Sequence, residues 1–263
     1  MQSSTEERQD MTAPSDLMVL IPAFNEERCI ADVLTELWTV LPGCTAVVVD
    51  DCSSDGTVAE AKRAGVRVLR LPHHLGLGGA VQAGYKLAFE LGYEFVIRID
   101  GDGQHNPRDI RRIYNELRES GAEMVIGSRF ITNDGYQTTF LRGLVIRFFR
   151  LMLRPILGQS VHDPTSGFVG VNRSALGVFS RVFPLEYPEI EALVVLQRRA
   201  FRFREIPCAM RPRLRGTSSI TLVRSLYFLL HVLLGVFVNI LKYDGRRGTR
   251  RIPAIPGKEG TRE

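Results

Sequence analysis

Short runs with the composition of buried strands alternate five times with segments of helical periodicity in the first half of the chain. The runs begin at Leu17, Thr45, Val66, Phe95 and Met124. Parallel strands need a crossover connection, usually a helix. The alternation therefore predicts an α/β fold with a mostly parallel sheet covered by helices on both faces. The 263 residues are enough for one large domain, or for one domain with an appendage.

Polar residues follow the ends of four predicted strands. They are Asn25-Glu26, Asp50-Asp51, Asp100–Asp102 and Arg129. In open parallel sheets, ligands bind outside the carboxyl ends of the strands. Loops contain polar residues in any case, but acids at three of these ends favour one shared binding site. We expect the first strand to stop at Pro22, which cannot donate to a central ladder, and Asn25 to cap the following helix.

The cluster with the clearest chemistry is Asp100-Gly101-Asp102, at the end of the fourth run. Side chains at i and i+2 leave a strand on the same face, so we expect the two carboxylates to point at one spot. Gly101 lets a ligand approach the backbone. Two close carboxylates repel each other, and Mg²⁺ is usually held by one or two carboxylates plus ligand phosphates. The alternative is an ordinary solvated Asp-Gly-Asp turn.

Four classes of protein find little or no support in the sequence. A dinucleotide-binding oxidoreductase needs G-x-G-x-x-G directly after the first strand, where residues 22–26 read Pro-Ala-Phe-Asn-Glu, and a P-loop is absent. The four cysteines have no C-x-x-C spacing and indicate reduced intracellular thiols rather than a disulfide frame. Basic clusters suit phosphates, anionic lipid or nucleic acid. The interleaved aromatic and basic residues of a nucleic-acid stacking platform are missing.

Four motifs in order resemble family 2 glycosyltransferases with the GT-A fold. They are Ile21–Glu27, Val49–Thr57, Asp100–Pro107 and Gly127–Arg129. The match runs from about Met18 to Ser219, and the most similar branch is the polyprenyl-phosphate (dolichol-phosphate) mannosyl and glucosyl synthases. The resemblance implies a glycosyltransferase domain over residues 17–220. The polar, Ser-, Thr- and Glu-rich composition of residues 1–16 predicts a disordered tail before it.

The resemblance implies roles on the donor side for residues in the first three motifs. A nucleotide site would contain Pro22, Phe24, Glu26, Asp51, Asp100, Gly101 and, from a closing loop, Arg213. Asp100 and Asp102, with Gln104, would hold Mg²⁺ or Mn²⁺ on the diphosphate of a nucleotide sugar. The cation would act as a Lewis acid on the leaving group, with inversion at the anomeric carbon, which makes Asp102 a catalytic residue.

The second half of the chain would determine the acceptor. The resemblance places Arg129, Arg142, Asp163 and Ser166 at the acceptor, and it places a general base at Glu189, with Glu191 second. A phosphate acceptor needs no base, whereas a sugar hydroxyl does. Three positions depart from the polyprenyl-phosphate pattern, namely His74, Ile146 and Ser219. A polyprenyl phosphate, a lipid-linked sugar and a hydroxyl in glycan assembly therefore remain alternatives.

Two apolar segments suggest contact with a membrane. Between Arg142 and Arg154, arginines at helical spacing alternate with Phe and Leu, as in a helix lying in a membrane interface, or packed on the sheet. Residues 221–243 predict an apolar helix that associates with the membrane or with a second copy, and a single span is possible. Residues 244–263 predict a disordered basic tail.

These expectations combine into one function. The chain is predicted to be a metal-dependent inverting hexosyltransferase on the cytoplasmic face of a membrane, peripherally attached, with a nucleotide-sugar donor and a lipid-linked acceptor. A homodimer or a small membrane-protein partner would fit the apolar helix. The rival from another class is a non-catalytic domain that binds a nucleotide or lipid headgroup as the partner of a membrane protein.

Overall fold

Residues 13–131, 140–186 and 188–211, which the computed structural model describes, form a seven-stranded sheet covered by helices on both faces. The strands are β1 (Leu17–Ala23), β2 (Thr45–Asp50), β3 (Arg67–Arg70), β4 (Phe95–Arg98), β5 (Met124–Ser128), β6 (Val169–Asn172) and β7 (Phe203–Pro207). The helices are α1 (Ile30–Val40), α2 (Thr57–Arg63), α3 (Gly76–Glu90), α4 (Asp109–Ser120), α5 (Phe140–Leu157), α6 (Arg173–Phe179) and α7 (Pro188–Arg198).

The strand order is β3-β2-β1-β4-β6-β5-β7. β6 runs antiparallel to both of its neighbours, β4 and β5, and the other four pairings are parallel. The predicted α/β class with a mostly parallel sheet is confirmed. The order brings the ends of β1, β2 and β4, where the acidic motifs lie, to the same edge of the sheet.

Alternate side chains of β1 point into two separate cores, which is why the strand is apolar throughout. Met18 and Leu20 pack with α3, α5, α6 and α7. Val19 and Ile21 pack with α1, α2 and α4 on the opposite face. All four side chains are fully buried. A central strand buried on both faces is typical of parallel sheets, and it fixes the level of the loops at its carboxyl end.

The expectation that β1 stops at Pro22 was wrong, because the strand continues to Ala23. The carbonyl of Leu20 accepts from Ile99 N on the β4 side, and that of Ala23 accepts from Asp51 N on the β2 side. Backbone groups alternate in direction along a strand, so the backbone nitrogen of Pro22 points towards β4, as the backbone groups of Leu20 do. The pairing of β1 with β4 already ends at Leu20. The missing N–H of Pro22 therefore costs no ladder bond.

Two further local predictions were wrong. α1 begins at Ile30 rather than beside Asn25, and Asn25 has a left-handed backbone, with φ of 57°. β4 ends at Arg98, so Asp100 and Asp102 lie in a turn and not on one face of a strand. Residues 100–104 are called the acidic turn below. The carboxylates reach the sheet edge through this turn, with Gly103 at φ of 76°.

α5 is an amphipathic helix packed on α7. Phe149 and Leu153 are buried in the core beneath it. On its outward side Phe148 and Leu151 are exposed, the latter by 72%, next to the exposed Arg147 and Arg154. The predicted separation of arginines from apolar residues is therefore only partial, because apolar side chains such as Phe149 and Leu153 belong to the protein core.

The ends of the chain lie largely outside the described residues. Before β1, Ala13 N donates to Pro42 O, and Asp16 accepts from the Tyr114 hydroxyl, so the packed structure begins before residue 17. The predicted helix over residues 221–243 and the tail over residues 244–263 are not described. Within the described ranges, every helix is too short or too polar to cross a bilayer.

Candidate active site

The loops after β1 and β2 are tied together by hydrogen bonds at the carboxyl edge of the sheet. Asn25 N donates to Ser53 Oγ at 3.0 Å, and Asn25 Oδ1 accepts from Ser54 N at 2.9 Å. Glu26 N donates to Thr57 Oγ1 at 2.8 Å. Asparagine tolerates a left-handed backbone better than most residues, since its short side-chain amide can form hydrogen bonds with nearby backbone groups. The two loops thus form a fixed wall for a ligand.

Phe24 and Asp51, both predicted at the nucleotide, meet around His74. The Phe24 and His74 rings stack with centroids 4.2 Å apart. His74 Nδ1 lies 2.9 Å from Asp51 Oδ2, and Leu75 N donates to Asp51 Oδ1 at 2.7 Å. The arrangement places a buried carboxylate beside two stacked and partly exposed rings. It was predicted for Phe24 and Asp51, whereas the sequence marked His74 only as a departure from the family pattern.

Gly101 connects the first loop to the acidic turn. A Cβ placed on Gly101 would lie 3.4 Å from the carbonyl oxygen of Pro22 and 3.6 Å from Glu26 Cγ. These are ordinary van der Waals distances, so the acidic turn lies directly beside the β1 loop. Three of the predicted nucleotide-site residues, Pro22, Glu26 and Gly101, are therefore neighbours in the structure.

Within the acidic turn, Asp102 is buried and Asp100 is accessible. The side chain of Asp100 is 35% exposed, and Asp102 as a residue is 6% exposed. Gln104 donates to Asp102 through its backbone N at 3.1 Å and through Nε2 at 2.6 Å. An ionised carboxylate only accepts, so the amide nitrogen must face it. Gln104 here orients Asp102, and its predicted role as a metal ligand stays a prediction.

The acidic turn suits a hard divalent cation. Its side chains offer carboxylate oxygens, the ligand type that Mg²⁺ and Mn²⁺ prefer. Among the described residues, no group of three or more His, Cys, Asp or Glu side chains could hold a metal ion by itself. A cation at Asp100 and Asp102 would therefore need further oxygens, and a diphosphate is the kind of ligand that supplies them.

His105 supports the turn from below. It is 4% exposed and stacks on Phe168 with centroids 4.8 Å apart. Its Nδ1 accepts from Asp100 N at 3.0 Å, so a neutral ring carries its proton on Nε2, which lies 3.7 Å from Asp100 Oδ2. Burial lowers the pKa of His105 and outweighs the opposite effect of Asp100. His105 therefore holds the backbone of the turn at Asp100 N, with its other ring nitrogen facing the Asp100 carboxylate.

Arg98 is a buried charged residue beside the acidic turn that sequence reasoning did not single out. It is 2% exposed, at the end of β4, and its Nε donates to Gly167 O at 2.7 Å. Its Nη2 donates to Glu189 Oε1 at 2.7 Å, and its Nε lies 3.8 Å from Asp100 Oδ1. Burial lowers the pKa of Arg98, but the carboxylates of Glu189 and Asp100 raise it, and the net shift is upward. The available signal was a lone arginine within an apolar run.

Glu189, the predicted base, lies in the first turn of α7 with its side chain 18% exposed and paired to Arg98. Glu191 is buried. Tyr85 on α3 lies behind the pair, and burial raises its pKa to about 12. Glu189 is thus close to the acidic turn through Arg98, but its charge is balanced inside the protein.

The predicted acceptor residues Arg129 and Asp163 form a buried, two-point ion pair. Arg129 Nε and Nη2 donate to the two oxygens of Asp163, each at 2.6 Å, and Arg129 N also donates to Asp163 at 3.1 Å. The side chains are 5% and 0% exposed. Nη2 also donates to Thr165 Oγ1 at 2.8 Å. Such a paired arginine anchors the segment 163–168, which is called the acceptor-side loop below.

Ser166 and Gly167 fit the acceptor-side loop against the sheet. The Ser166 hydroxyl donates to Gly127 O at 2.6 Å and accepts from Phe168 N at 3.2 Å, so it holds backbone. A Cβ on Gly167 would lie 2.5 Å from Arg98 Nη2 and 2.8 Å from Asp100 Oδ2. Only glycine leaves room for these charged groups, which brings the acceptor-side loop directly onto the acidic turn.

Two predicted arginines cannot be placed. Arg142 belongs to the first turn of α5, and its side chain is not described; Arg213 lies outside the described residues. The chain leading to Arg213 does reach the site. Met210 bridges to His105, and Arg211 N donates to Gln104 O at 3.0 Å.

Comparison with curated proteins finds relatives that act on polyprenyl phosphates. A polyprenol monophosphomannose synthase of Mycolicibacterium smegmatis is 30% identical over 166 residues, which is 60% of this chain and 62% of that protein. An undecaprenyl-phosphate mannosyltransferase of Micrococcus luteus is 32% identical over 160 residues, 58% of this chain and 64% of that protein. The chain thus matches somewhat under two thirds of the length of these two relatives.

Comparison with solved structures supports the fold. Glucosyl-3-phosphoglycerate synthase of Mycobacterium tuberculosis, solved with Mn²⁺, uridine diphosphate and phosphoglyceric acid, superposes with a TM-score of 0.67. The identity is 22%, and the match covers 85% of this chain and 78% of that chain. The sequence profile described as Glycosyl transferase family 2 matches residues 18–179, more than half of the chain. The chain therefore belongs to glycosyltransferase family 2.

Proposed function

We propose that this protein is a metal-dependent, inverting glycosyltransferase that moves a sugar from a nucleoside-diphosphate sugar to a polyprenyl phosphate at the cytoplasmic face of a membrane. The observation that carries the proposal is the position of the acidic turn. It touches the β1 loop through Gly101 on one side, and Arg98 and Gly167 on the other. A diphosphate at this turn would lie between a nucleoside wall and the acceptor-side loop.

The donor side supports a nucleoside diphosphate. Asp100 and Asp102 would hold Mg²⁺ or Mn²⁺, which would stabilise the negative charge that develops on the leaving diphosphate. Gln104 orients the Asp102 carboxylate through a direct hydrogen bond, and His105 holds the backbone of the turn at Asp100 N. The structural neighbour from M. tuberculosis has been solved with Mn²⁺ or with Mg²⁺ together with uridine diphosphate.

The closing arginine is consistent with this assignment. Arg211 N is bonded to the acidic turn at Gln104 O. Arg213 follows Arg211 by two positions in the sequence and lies outside the described residues. An arginine suits a diphosphate because its guanidinium offers paired donors to phosphate oxygens. This assignment extends the donor site to the segment after β7.

The acceptor side favours a group that is already an anion. A hydroxyl acceptor needs a base that can take up its proton, but the nearest candidate, Glu189, is held by Arg98 at 2.7 Å. A phosphate oxygen attacks without losing a proton. The two mannosyltransferase relatives carry polyprenol or undecaprenyl phosphate in their names. Both considerations lead to a polyprenyl phosphate.

A membrane location follows from the acceptor and from α5. Its outward side exposes Phe148 and Leu151 beside Arg147 and Arg154. Arginines that flank apolar side chains suit the boundary between anionic headgroups and acyl chains. The segment 221–243 is proposed to strengthen this peripheral attachment, alone or by pairing with a second copy or with a small membrane protein.

The decisive experiment measures nucleoside diphosphate release. The protein is incubated with Mn²⁺, polyprenyl phosphate in detergent, and each common nucleotide sugar in turn. We expect one donor to give product, and we expect Asp102→Asn to reduce turnover about 10²- to 10³-fold, as for other losses of transition-state charge stabilisation. Asp32→Asn, an exposed acid in the first turn of α1, is the matched control and should keep full activity.

Two results would end the proposal. One is the absence of diphosphate release with every donor, because no sugar would then be transferred to polyprenyl phosphate. The other is full activity of Asp102→Asn, because the metal role of the acidic turn would then be wrong. Release with a sugar-hydroxyl acceptor but not with polyprenyl phosphate would keep the donor half and replace the acceptor.

A further inference from the structure

His74 makes two contacts that stand out in the donor site. Its imidazole lies flat on Phe24, with centroids 4.2 Å apart and an angle of 29° between the planes. Its Nδ1 lies 2.9 Å from Asp51 Oδ2 and 3.2 Å from Asp51 O. Both of these oxygens are acceptors, so Nδ1 carries a proton. A flat ring that stacks on Phe24 therefore donates an N–H to Asp51.

The imidazole also covers the carboxylate. The side chain of Asp51 is 3% exposed, while that of His74 is 55% exposed and Phe24 is 43% exposed. Stacked rings separated by 4.2 Å leave no space for another ring, because each stacking contact needs about 3.5 Å. A ligand that uses Phe24 and Asp51 at this place must first displace His74.

A nucleobase would make the same two contacts. Uracil, thymine and guanine are flat rings with a ring N–H that a carboxylate can accept, and their faces stack on aromatic side chains. We propose that, in the ligand-free protein, His74 occupies the nucleobase position of the donor site and competes with the base. The proposal rests on the proposed function, since it takes the pocket at Phe24 and Asp51 to be the base site.

Displacement needs only the side chain of His74 to move. The wall formed by the β1 and β2 loops is fixed by bonds such as Asn25 N to Ser53 Oγ. Leu75 N donates separately to Asp51 Oδ1, so this bond can stay when the imidazole rotates away. Asp51 then keeps its orientation and exposes Oδ2 to the base. The histidine thus acts as an internal competitor on a prepared site.

The expected effect follows from the fraction of molecules in which the site is open. Affinity falls in proportion to the competent fraction, so a ring that closes the site nine times in ten weakens binding about tenfold. Removing the imidazole should therefore tighten the binding of a nucleoside diphosphate about three- to tenfold. A residue that helped to hold the base would have the opposite effect.

The experiment is titration calorimetry of the full chain with uridine diphosphate and with guanosine diphosphate, each in the presence of Mn²⁺. The variants are His74→Ala and, as the matched control, His73→Ala, which removes the neighbouring exposed histidine. We expect His74→Ala to bind one of the two nucleotides about three- to tenfold more tightly than the wild type. His73→Ala should bind like the wild type.

The outcomes separate this inference from the proposed function. If neither the wild type nor His74→Ala binds either nucleotide, the donor assignment fails and takes the inference with it. If the wild type binds and His74→Ala binds equally or more weakly, the donor assignment stands and the competition is wrong. Since His74 is exposed, circular dichroism spectra of the two histidine variants should match, which excludes unfolding as the cause of a change.

Discussion

The two sides of the site use their charged groups differently. On the nucleotide side, Phe24 is 43% exposed and the side chain of Asp100 is 35% exposed, so both can meet a ligand. On the acceptor side, Arg129 and Asp163 are 5% and 0% exposed and bind each other. Glu189 is likewise paired to the buried Arg98. The nucleotide side thus presents one accessible carboxylate and one exposed aromatic ring, whereas these acceptor-side charges balance each other internally.

The difference shows what a motif can and cannot reveal. A motif identifies which residue types stand at an edge of the sheet, and here it identifies both sides. It does not tell whether a charge is directed at a ligand or neutralised by a neighbour. A charge in the interior is costly unless it is paired, so the more deeply buried side must supply its own counter-charges. We infer that the acceptor side is a rigid scaffold whose ligand contacts come from a few exposed groups.

The largest expected effect is on stability, at the pair Arg129–Asp163. Removing one partner of a buried ion pair leaves the other charge unpaired, and the loss is about 3–5 kcal/mol. We expect Arg129→Met to lower the free energy of unfolding by about this amount in urea denaturation. The double variant Arg129→Met with Asp163→Leu should recover much of the loss, because no charge is then left alone.

An exposed pair gives the control for this experiment. Arg63 pairs with Glu60 on α2, and its side chain is 70% exposed. Exposed pairs of this kind contribute well under about 1 kcal/mol, so Arg63→Met should hardly change the free energy of unfolding. If Arg129→Met were equally mild, Arg129 would be available to a ligand, and the contrast between the two sides would disappear.

Much of the fold was readable from the sequence because periodicity and strand-end polarity are local signals. The carboxyl-edge location of Phe24, Asp51 and Asp102 follows from the alternation of strands and helices. The limits of β1 and β4 were not readable, since they depend on which neighbour each strand meets. Pro22 is tolerated in β1 only because β4 has already ended opposite Leu20.

The pairings of charges were the least predictable feature. Arg98 and Glu189 are 91 positions apart, and Arg129 and Asp163 are 34 apart. Their contacts arise from the order of the strands, which places the antiparallel β6 between β4 and β5. No local pattern carries that order. The role of His74 was hidden for a similar reason, because its partners Phe24 and Asp51 come from other loops.

A medium effect is expected from pH, at two thiols that are buried in the same core, on the face of the sheet covered by α1, α2 and α4. Burial raises the pKa of Cys44, before β2, from its ordinary value of 9.0 to about 11, and that of Cys208, after β7, to about 12. Above pH 9 the unfolded chain releases these protons while the folded chain keeps them. The free energy of unfolding therefore falls as pH rises from 9, by about 1.4 kcal/mol per thiol at pH 10.

The measurement is the difference in the free energy of unfolding between pH 8 and pH 10, under reducing conditions. Cys44→Ala and Cys208→Ala should each lose about 1.4 kcal/mol less than the wild type over this interval. The cavity that each substitution creates lowers the free energy of unfolding equally at both pH values, so its contribution cancels in the difference. If either variant lost as much stability between pH 8 and pH 10 as the wild type, the thiol that it lacks would ionise as readily in the folded protein as in the unfolded chain.

The smallest expected effect is on turnover, at Glu189, and it tests whether the acceptor side lacks a base. Glu189→Gln keeps an oxygen that can accept from Arg98 Nη2, which now lies 2.7 Å from Oε1. If Glu189 only positions Arg98, kcat should fall about two- to fivefold, and the acid limb of the pH–rate profile should stay in place. A general base contributes about 10²- to 10⁴-fold.

The matched control is Glu186→Gln, an exposed acid three residues earlier. A loss of 10²-fold together with the disappearance of the acid limb would identify Glu189 as a base. The acceptor would then be a hydroxyl, and the internal pairing of charges would be part of the chemistry rather than of the scaffold.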